Sequence, residues 1–131
     1  MVDRVSSRSS IESYVLKNGQ FYNPVSKPKN IKFGKVRECF SNAAHLVWDN
    51  PDEYTYVEGY AFPDFMNIPI HHAWVVDKDN NVIDNTWRTI GRAYFGVPIK
   101  SEDINRVLLD SGTFGVLDYS KKSFRNLVEE Q

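Results

Sequence analysis

Residues 70–87 read IHHAWVVDKDNNVIDNTW, and this stretch restricts the chain more than any other. Ala73-Trp74-Val75-Val76 and Val82-Ile83 are β-formers, and the five residues between them, Asp77-Lys78-Asp79-Asn80-Asn81, are turn-formers. Strands this short and this closely joined pair antiparallel. Alternation sets His72, Trp74 and Val76 on one face and His71, Ala73 and Val75 on the other, so only one of the two histidines faces a given site. The place of Asp84 depends on register. If Asp77 pairs with Val82, Asp84 turns away from His72; a slip of one residue, or a bulge, brings it opposite Trp74 and onto the His72 face. Diagonal neighbours of that kind lie roughly 7 Å apart, within reach of a histidine and an aspartate. A catalytic hairpin therefore predicts an odd-length turn or a bulge near residues 78–81.

A histidine and an aspartate on a hairpin call for a nucleophile, and the chain holds one cysteine. Cys39 lies in VRECFSNAAHLVW, where Val36, Phe40, Ala43, Ala44 and Val47 recur at helical spacing. The spacing predicts a helix from residue 35 or 36 to 48, stopped by Asp49-Asn50-Pro51 because the residue before proline disfavours helical backbone. Cys39 then falls in the first turn, where unpaired amides and the helix dipole favour the thiolate. Taken singly, each residue has an ordinary explanation: a buried thiol, a satisfied core His72, a strand-end Asp84, surface His71 and His45. Together, a helix cysteine, a strand histidine and a strand aspartate supply nucleophile, base and orienting group in one order.

The 131 residues make one domain, 1–131, of α+β class. A net charge of −1, from 16 basic and 17 acidic residues, gives no field that would draw nucleic acid. One cysteine excludes an intramolecular disulfide, and no apolar run approaches the roughly 20 residues of a membrane span. The opening MVDRVSSRSS lacks the apolar core of a signal peptide, so the expected location is cytoplasmic. No glycine-rich phosphate loop or cofactor motif is present, and no cofactor is expected. A metal site built from Cys39, His72, Asp84 and His45 would lack the paired short spacings of zinc ligands, and none is expected.

In chain order, residues 1–8 are polar, serine-rich and expected to be poorly ordered. Ser9 and Glu12 fit a capping box that opens a helix with Ile11, Tyr14 and Val15 inward, ended by Gly19. Residues 20–35, with Pro24, Pro28 and Gly34, read as a loop that walls the site. Asn30, or an amide near Phe33-Gly34, is its candidate oxyanion donor. Residues 52–61 form a strand that pairs with 70–77. There Glu58 is either solvated or in contact with substrate, and Gly59 leaves room for close backbone approach. Residues 93–99 make a strand confined by Pro98 to an edge or an end. Ser101 caps a helix with Ile104, Val107 and Leu108 inward, ended by Gly112. Residues 114–117 could add a strand, and Ser120 opens a last helix with Phe124, Leu127 and Val128 inward and a frayed tail, 129–131.

Cys39 opening a helix as Cys-Phe-Ser-Asn-Ala, Tyr-Val-Glu-Gly-Tyr-Ala at 56–61, His-Ala-Trp at 72–74 and Asp-Asn-Thr-Trp at 84–87 resemble the papain-like and transglutaminase-like cysteine hydrolases, in particular small bacterial or phage members. The resemblance covers 36–97, the catalytic core. Its most specific part, His-Ala-Trp with an aspartate 12 positions on, is similar to the His and Asp strands of bacterial transglutaminase-like peptidases. It implies a papain-like core in which a helix carrying Cys39 packs on a small antiparallel sheet carrying His72 and Asp84. Cys39 would be nucleophile, His72 general base and acid, and Asp84 the residue orienting His72. The substrate would be an amide, isopeptide or ester in a protein, peptide or small amide. Two departures stand out: Asp84-Asn85-Thr86 replaces the usual Asp-Pro-Thr, and no glutamine matches the oxyanion hole. The Cys39 amide would serve that hole. Asn42 would assist or hold the helix against the hairpin, and Trp74 and Trp87 would shield the His–Asp pair or, with Glu58, meet substrate. The family also contains inactive binding domains, so the alternative is a protein-binding or regulatory module on the same fold.

Overall fold

The structure, a computed structural model, describes residues 4–129; the side chains of 4–10 are not described. In chain order the described elements are α1 (Arg4–Asn18), β1 (Gln20–Tyr22), α2 (Cys39–Asp49), β2 (Thr55–Phe62), β3 (Ile70–Val76), β4 (Val82–Ile83), β5 (Ala93–Ile99), α3 (Ser101–Ser111) and α4 (Lys122–Glu129). The five strands form one antiparallel sheet in the order β1-β5-β2-β3-β4, so the chain is mixed α+β. Among the described residues no helix is long and apolar enough to cross a membrane.

Strand alternation sorts the apolar residues into two layers. Tyr56, Ala73, Val75, Val97 and Ile99 face α2, α1, α3 and α4, meeting Ala43, Ala44 and Val47, Val15, Ile104 and Val107, and Phe124 respectively. Val57, Ala61, Trp74, Val76, Val82 and Tyr94 form a second, aromatic cluster on the opposite face. β2 pairs with β3 as expected, Gly59 standing opposite His72. β5 lies on the other side of β2, and a Cβ on Gly59 would collide with the Phe95 carbonyl, the close approach that glycine permits.

Several expectations need correction. α1 begins at Arg4, so Ser9 and Glu12 lie inside it and form no capping box at its start. Of the segment expected to be poorly ordered, residues 1–3 fall outside the described residues, as do 130–131 of the tail. The loop 20–35 opens with β1, whose three residues pair with Tyr94, Phe95 and Gly96. β5 lies inside the sheet and not at its edge, but Pro98 stands at the strand end as expected, one residue before Ile99 and beyond the stretch that β1 covers. α2 starts three residues after Val36, which is 65% exposed. Arg37 adopts φ 68, which no right-handed helix contains. α3 has Lys100, not Ser101, as its N-cap, with no side-chain cap. Residues 114–117 form no strand: the amides of Val116 and Leu117 go to the Glu58 carboxylate, and Lys121 Nζ gathers the carbonyls of Thr113, Phe114 and Gly115. α4 starts at Lys122, two residues after Ser120.

Candidate active site

The turn after β3 decides where Asp84 goes. Val76 pairs with Val82 and Val75 with Ile83, so residues 77–81 are a five-residue turn and Asp84 comes opposite Trp74, on the His72 face. Asp77 builds the turn by accepting from the amides of Asp79 (2.9 Å) and Asn81 (3.0 Å), while Asn80 takes φ 63, a conformation asparagine tolerates. In this register His72 Nε2 and Asp84 Oδ2 stand 2.9 Å apart, each residue 2% exposed.

Three further donors fix Asp84. Tyr94 OH donates to Oδ2 (2.8 Å), and the amides of Thr86 (3.0 Å) and Trp87 (3.1 Å) donate to Oδ1. Burial pushes the carboxyl pKa up, but the bond and attraction of His72, with the two amides, outweigh burial and hold it below the usual carboxylate range. An ionised carboxylate only accepts, so the hydrogen-bond network assigns a proton to Nε2 and leaves a lone pair for Nδ1 in the neutral ring. Trp87 stacks on the imidazole at 4.0 Å and 21° and lines the adjoining cleft. Trp74 has no exposed surface and packs against Tyr94 and Tyr22, so it backs the pair and is no substrate contact.

A cleft of about 620 Å³, walled by Val36, Phe65 and Trp87, holds Cys39 in its lining together with both His71 and His72, not one histidine alone as alternation suggests. Cys39 is the first residue of α2 and is 8% exposed. Its sulfur takes backbone hydrogen bonds from Ala73 and Phe40, so it lies against the peptide that follows His72. Among the described residues no hydrogen bond joins it to His72. The thiol departs from the thiolate expected at a helix start. Burial pushes it up to about 11, and the charges of Glu58 and Asp84 add to the rise, outweighing the two backbone hydrogen bonds. No side chain caps α2, which leaves its first amides without that competitor.

The remaining predicted residues divide sharply. Asn42 holds the helix to its surroundings: Nδ2 donates to Lys35 O and Thr86 Oγ1, both at 2.8 Å, and Oδ1 accepts from Lys35 N. A Cβ on Gly34 would collide with the Asn42 amide, so glycine is required for that contact. Asn30 is exposed and lines a different cleft, with His45, so it is no oxyanion donor for Cys39. The Gly34 amide is committed to Asn85 O at 2.8 Å. His45 bonds Ser41 O on its own helix. Among the described residues no group of three His, Cys, Asp or Glu side chains could hold a metal ion.

Glu58 is neither solvated nor free. It has no exposed surface and accepts four hydrogen bonds: Tyr56 OH (2.7 Å) and Val116 N–H (2.8 Å) on Oε1, Leu117 N–H (2.8 Å) and His71 Nε2 (3.1 Å) on Oε2. Burial raises its pKa, yet the His71 bond and attraction, with Tyr56 and Val116, keep it below the ordinary value. His71, read as plain surface, is therefore tied to a buried carboxylate, its side chain 36% exposed. Sequence reasoning also missed what Tyr94 and Thr86 do: Tyr94 lies in no motif, and Thr86 stands in Asp-Asn-Thr-Trp with no role assigned to it; burial on the Asp84 side of the sheet is what distinguishes them. Comparison with known proteins found no matching family model, no matching curated protein and no matching solved structure.

Proposed function

We propose that the chain is a cysteine-dependent hydrolase or acyltransferase with a papain-like, transglutaminase-like core, acting on an amide, isopeptide or ester. The observation that carries this reading is the buried 2.9 Å His72–Asp84 pair, which opens through the His72 ring onto the cleft that also holds Cys39. Because the thiol is held at about 11, roughly one molecule in ten thousand carries a thiolate at pH 7, and a neighbouring base must remove the proton. His72 Nδ1 takes it as sulfur attacks the carbonyl carbon, and Asp84 stabilises the imidazolium and keeps the ring aligned. Amides at the start of α2, that of Cys39 foremost, receive the developing oxyanion. Collapse of the tetrahedral adduct breaks the carbon–nitrogen or carbon–oxygen bond, and the His72 proton leaves on the departing group. A thioester on Cys39 remains for water or an amine.

A second reading is a binding or regulatory module with an inert thiol, and the burial of Cys39 favours it. Iodoacetamide with intact-mass readout separates the two. Acyl chemistry predicts one adduct on the folded wild-type chain at neutral pH, none on Cys39→Ala, and labelling slowed about 100-fold in His72→Gln, with far-UV circular dichroism unchanged. A folded wild-type chain that takes no label would leave the binding module standing.

A further inference from the structure

The fold builds one construction twice. On one face of the sheet a tyrosine hydroxyl, two consecutive backbone amides and a histidine Nε2 converge on Asp84; on the other, the same set of donors converges on Glu58. The two histidines are consecutive, and both line the cleft that holds Cys39. His71 has a second connection: with Phe40 it also lines a neighbouring cleft of about 570 Å³, walled by Phe114, Leu117 and Tyr119. The His71 ring is thus part of the wall common to both spaces. Glu58 already holds three donors without it, so His71 is not needed to satisfy the carboxylate, whereas Glu58 is what fixes the ring. With Nε2 bonded to Glu58, Nδ1 is the nitrogen left to meet a ligand.

We propose that His71, oriented by Glu58, is the catalytic base that activates the acceptor, a water or primary amine arriving through the second cleft, when the Cys39 thioester is discharged. This rests on the acyl-transfer reading above and divides its work between two histidines. His72 serves formation of the thioester. In its discharge, the acceptor oxygen or nitrogen bonds to the thioester carbon while its proton passes to His71 Nδ1. The carbon–sulfur bond breaks, the electron pair goes to sulfur, and the thiolate recovers the proton from His71 as the product leaves. Atoms and charges balance without any other reactant. The charges of Glu58 and Asp84 both raise the Cys39 pKa, so the thiol senses both pairs.

The experiment is stopped-flow turnover of p-nitrophenyl acetate, whose leaving group needs no proton, with the full chain. Wild type should release a burst of nitrophenolate followed by a slower steady rate. His72→Gln should lose the rapid burst. His71→Gln should keep it and lose about 100-fold or more in the steady rate, with an acetyl adduct accumulating by intact mass. Hydroxylamine, a nucleophile strong enough to need no base, should restore His71→Gln turnover, which a residue that merely holds the fold together would not allow. His71 is partly exposed, so its variant is expected to fold; Glu58→Gln, if folded, should reproduce the slow steady phase. An unchanged steady rate in His71→Gln, or a burst lost in His71→Gln and kept in His72→Gln, overturns the assignment while leaving a cysteine enzyme in place. Absence of any Cys39-dependent burst or acetylation overturns the acyl-transfer reading and this assignment together.

Discussion

Asp84 and Glu58 are bound by the same kinds of donor, yet they differ in what those donors tie together. The Asp84 clamp is local in sequence: its partners lie 2, 3, 10 and 12 positions away, within one hairpin and the next strand. The Glu58 clamp takes its two amides from residues 58 and 59 positions on, in a segment with no regular structure. The first orients a histidine beneath Trp87; the second anchors the 113–117 loop to the centre of the sheet and only then reaches a histidine. One carboxylate therefore serves mainly the site, and the other serves the fold and the site at once.

That difference should be largest in stability. Glu58→Ala strands two amides, a tyrosine hydroxyl and a histidine around a buried hole and releases the loop that closes the helical layer; the expected loss is about 3–5 kcal/mol. Asp84→Ala strands a similar set, but Trp87 and the residues after it border the cleft and can turn to water, so the expected loss is about 1–3 kcal/mol. Urea unfolding of both variants measures this, and equal losses would erase the distinction.

Acid tests the two clamps together. Both carboxyls titrate in the folded chain below their ordinary values of 4.5 for Glu58 and 3.8 for Asp84, burial being outweighed by their donors. A depressed folded pKa contributes stability above the unfolded value, and that stability disappears as pH falls through the folded one. The urea midpoint should hold down to about pH 4 to 5 and fall steeply below it, where the carboxylates begin to bind protons in the unfolded chain first. Asp84→Asn should fall less steeply than wild type while retaining the Glu58 share. A midpoint independent of pH in that range would mean that neither carboxylate is held as described.

The contrast also explains what the sequence disclosed. His72, Asp84 and their strands were legible because the pattern that specifies them is contiguous: β-formers, a polar turn of fixed length, β-formers again. Even the register question had a local answer, the five residues 77–81. Glu58 was illegible because nothing near Val116 and Leu117 announces amides in need of an acceptor. Their apolar, β-favouring side chains suggested a strand, whereas the backbone had found a carboxylate instead of a neighbouring ladder. β1 was hidden for a related reason, since three residues among prolines and lysines gain their structure entirely from pairing with β5. Val36 continued the helical stripe on paper, but the positive φ of Arg37 and the Asn42 side chain bonded to Lys35 end that turn outside the helix. Periodicity reports which face a residue would take if the element continues, not whether it continues.

The smallest effect belongs to the two tyrosines, and it isolates the proposed division of labour most cleanly. Tyr56 and Tyr94 are both fully enclosed, and burial, followed by the adjacent carboxylate, pushes each phenol up, so both remain hydroxyl donors. Replacing either by phenylalanine removes the bond to its carboxylate without opening a cavity, at about 1 kcal/mol. Tyr94 OH also accepts the Gly91 amide at 2.8 Å, so Tyr94→Phe strands a buried donor and should cost about 1 kcal/mol more than Tyr56→Phe. In turnover the order should split by step. Tyr94→Phe withdraws a donor from Asp84, loosens His72 and should slow the burst severalfold; Tyr56→Phe withdraws one from Glu58, loosens His71 and should slow the steady phase alone. If Tyr56→Phe slows the burst as much as Tyr94→Phe does, the two histidines share one task, and the resemblance between their clamps is architectural only.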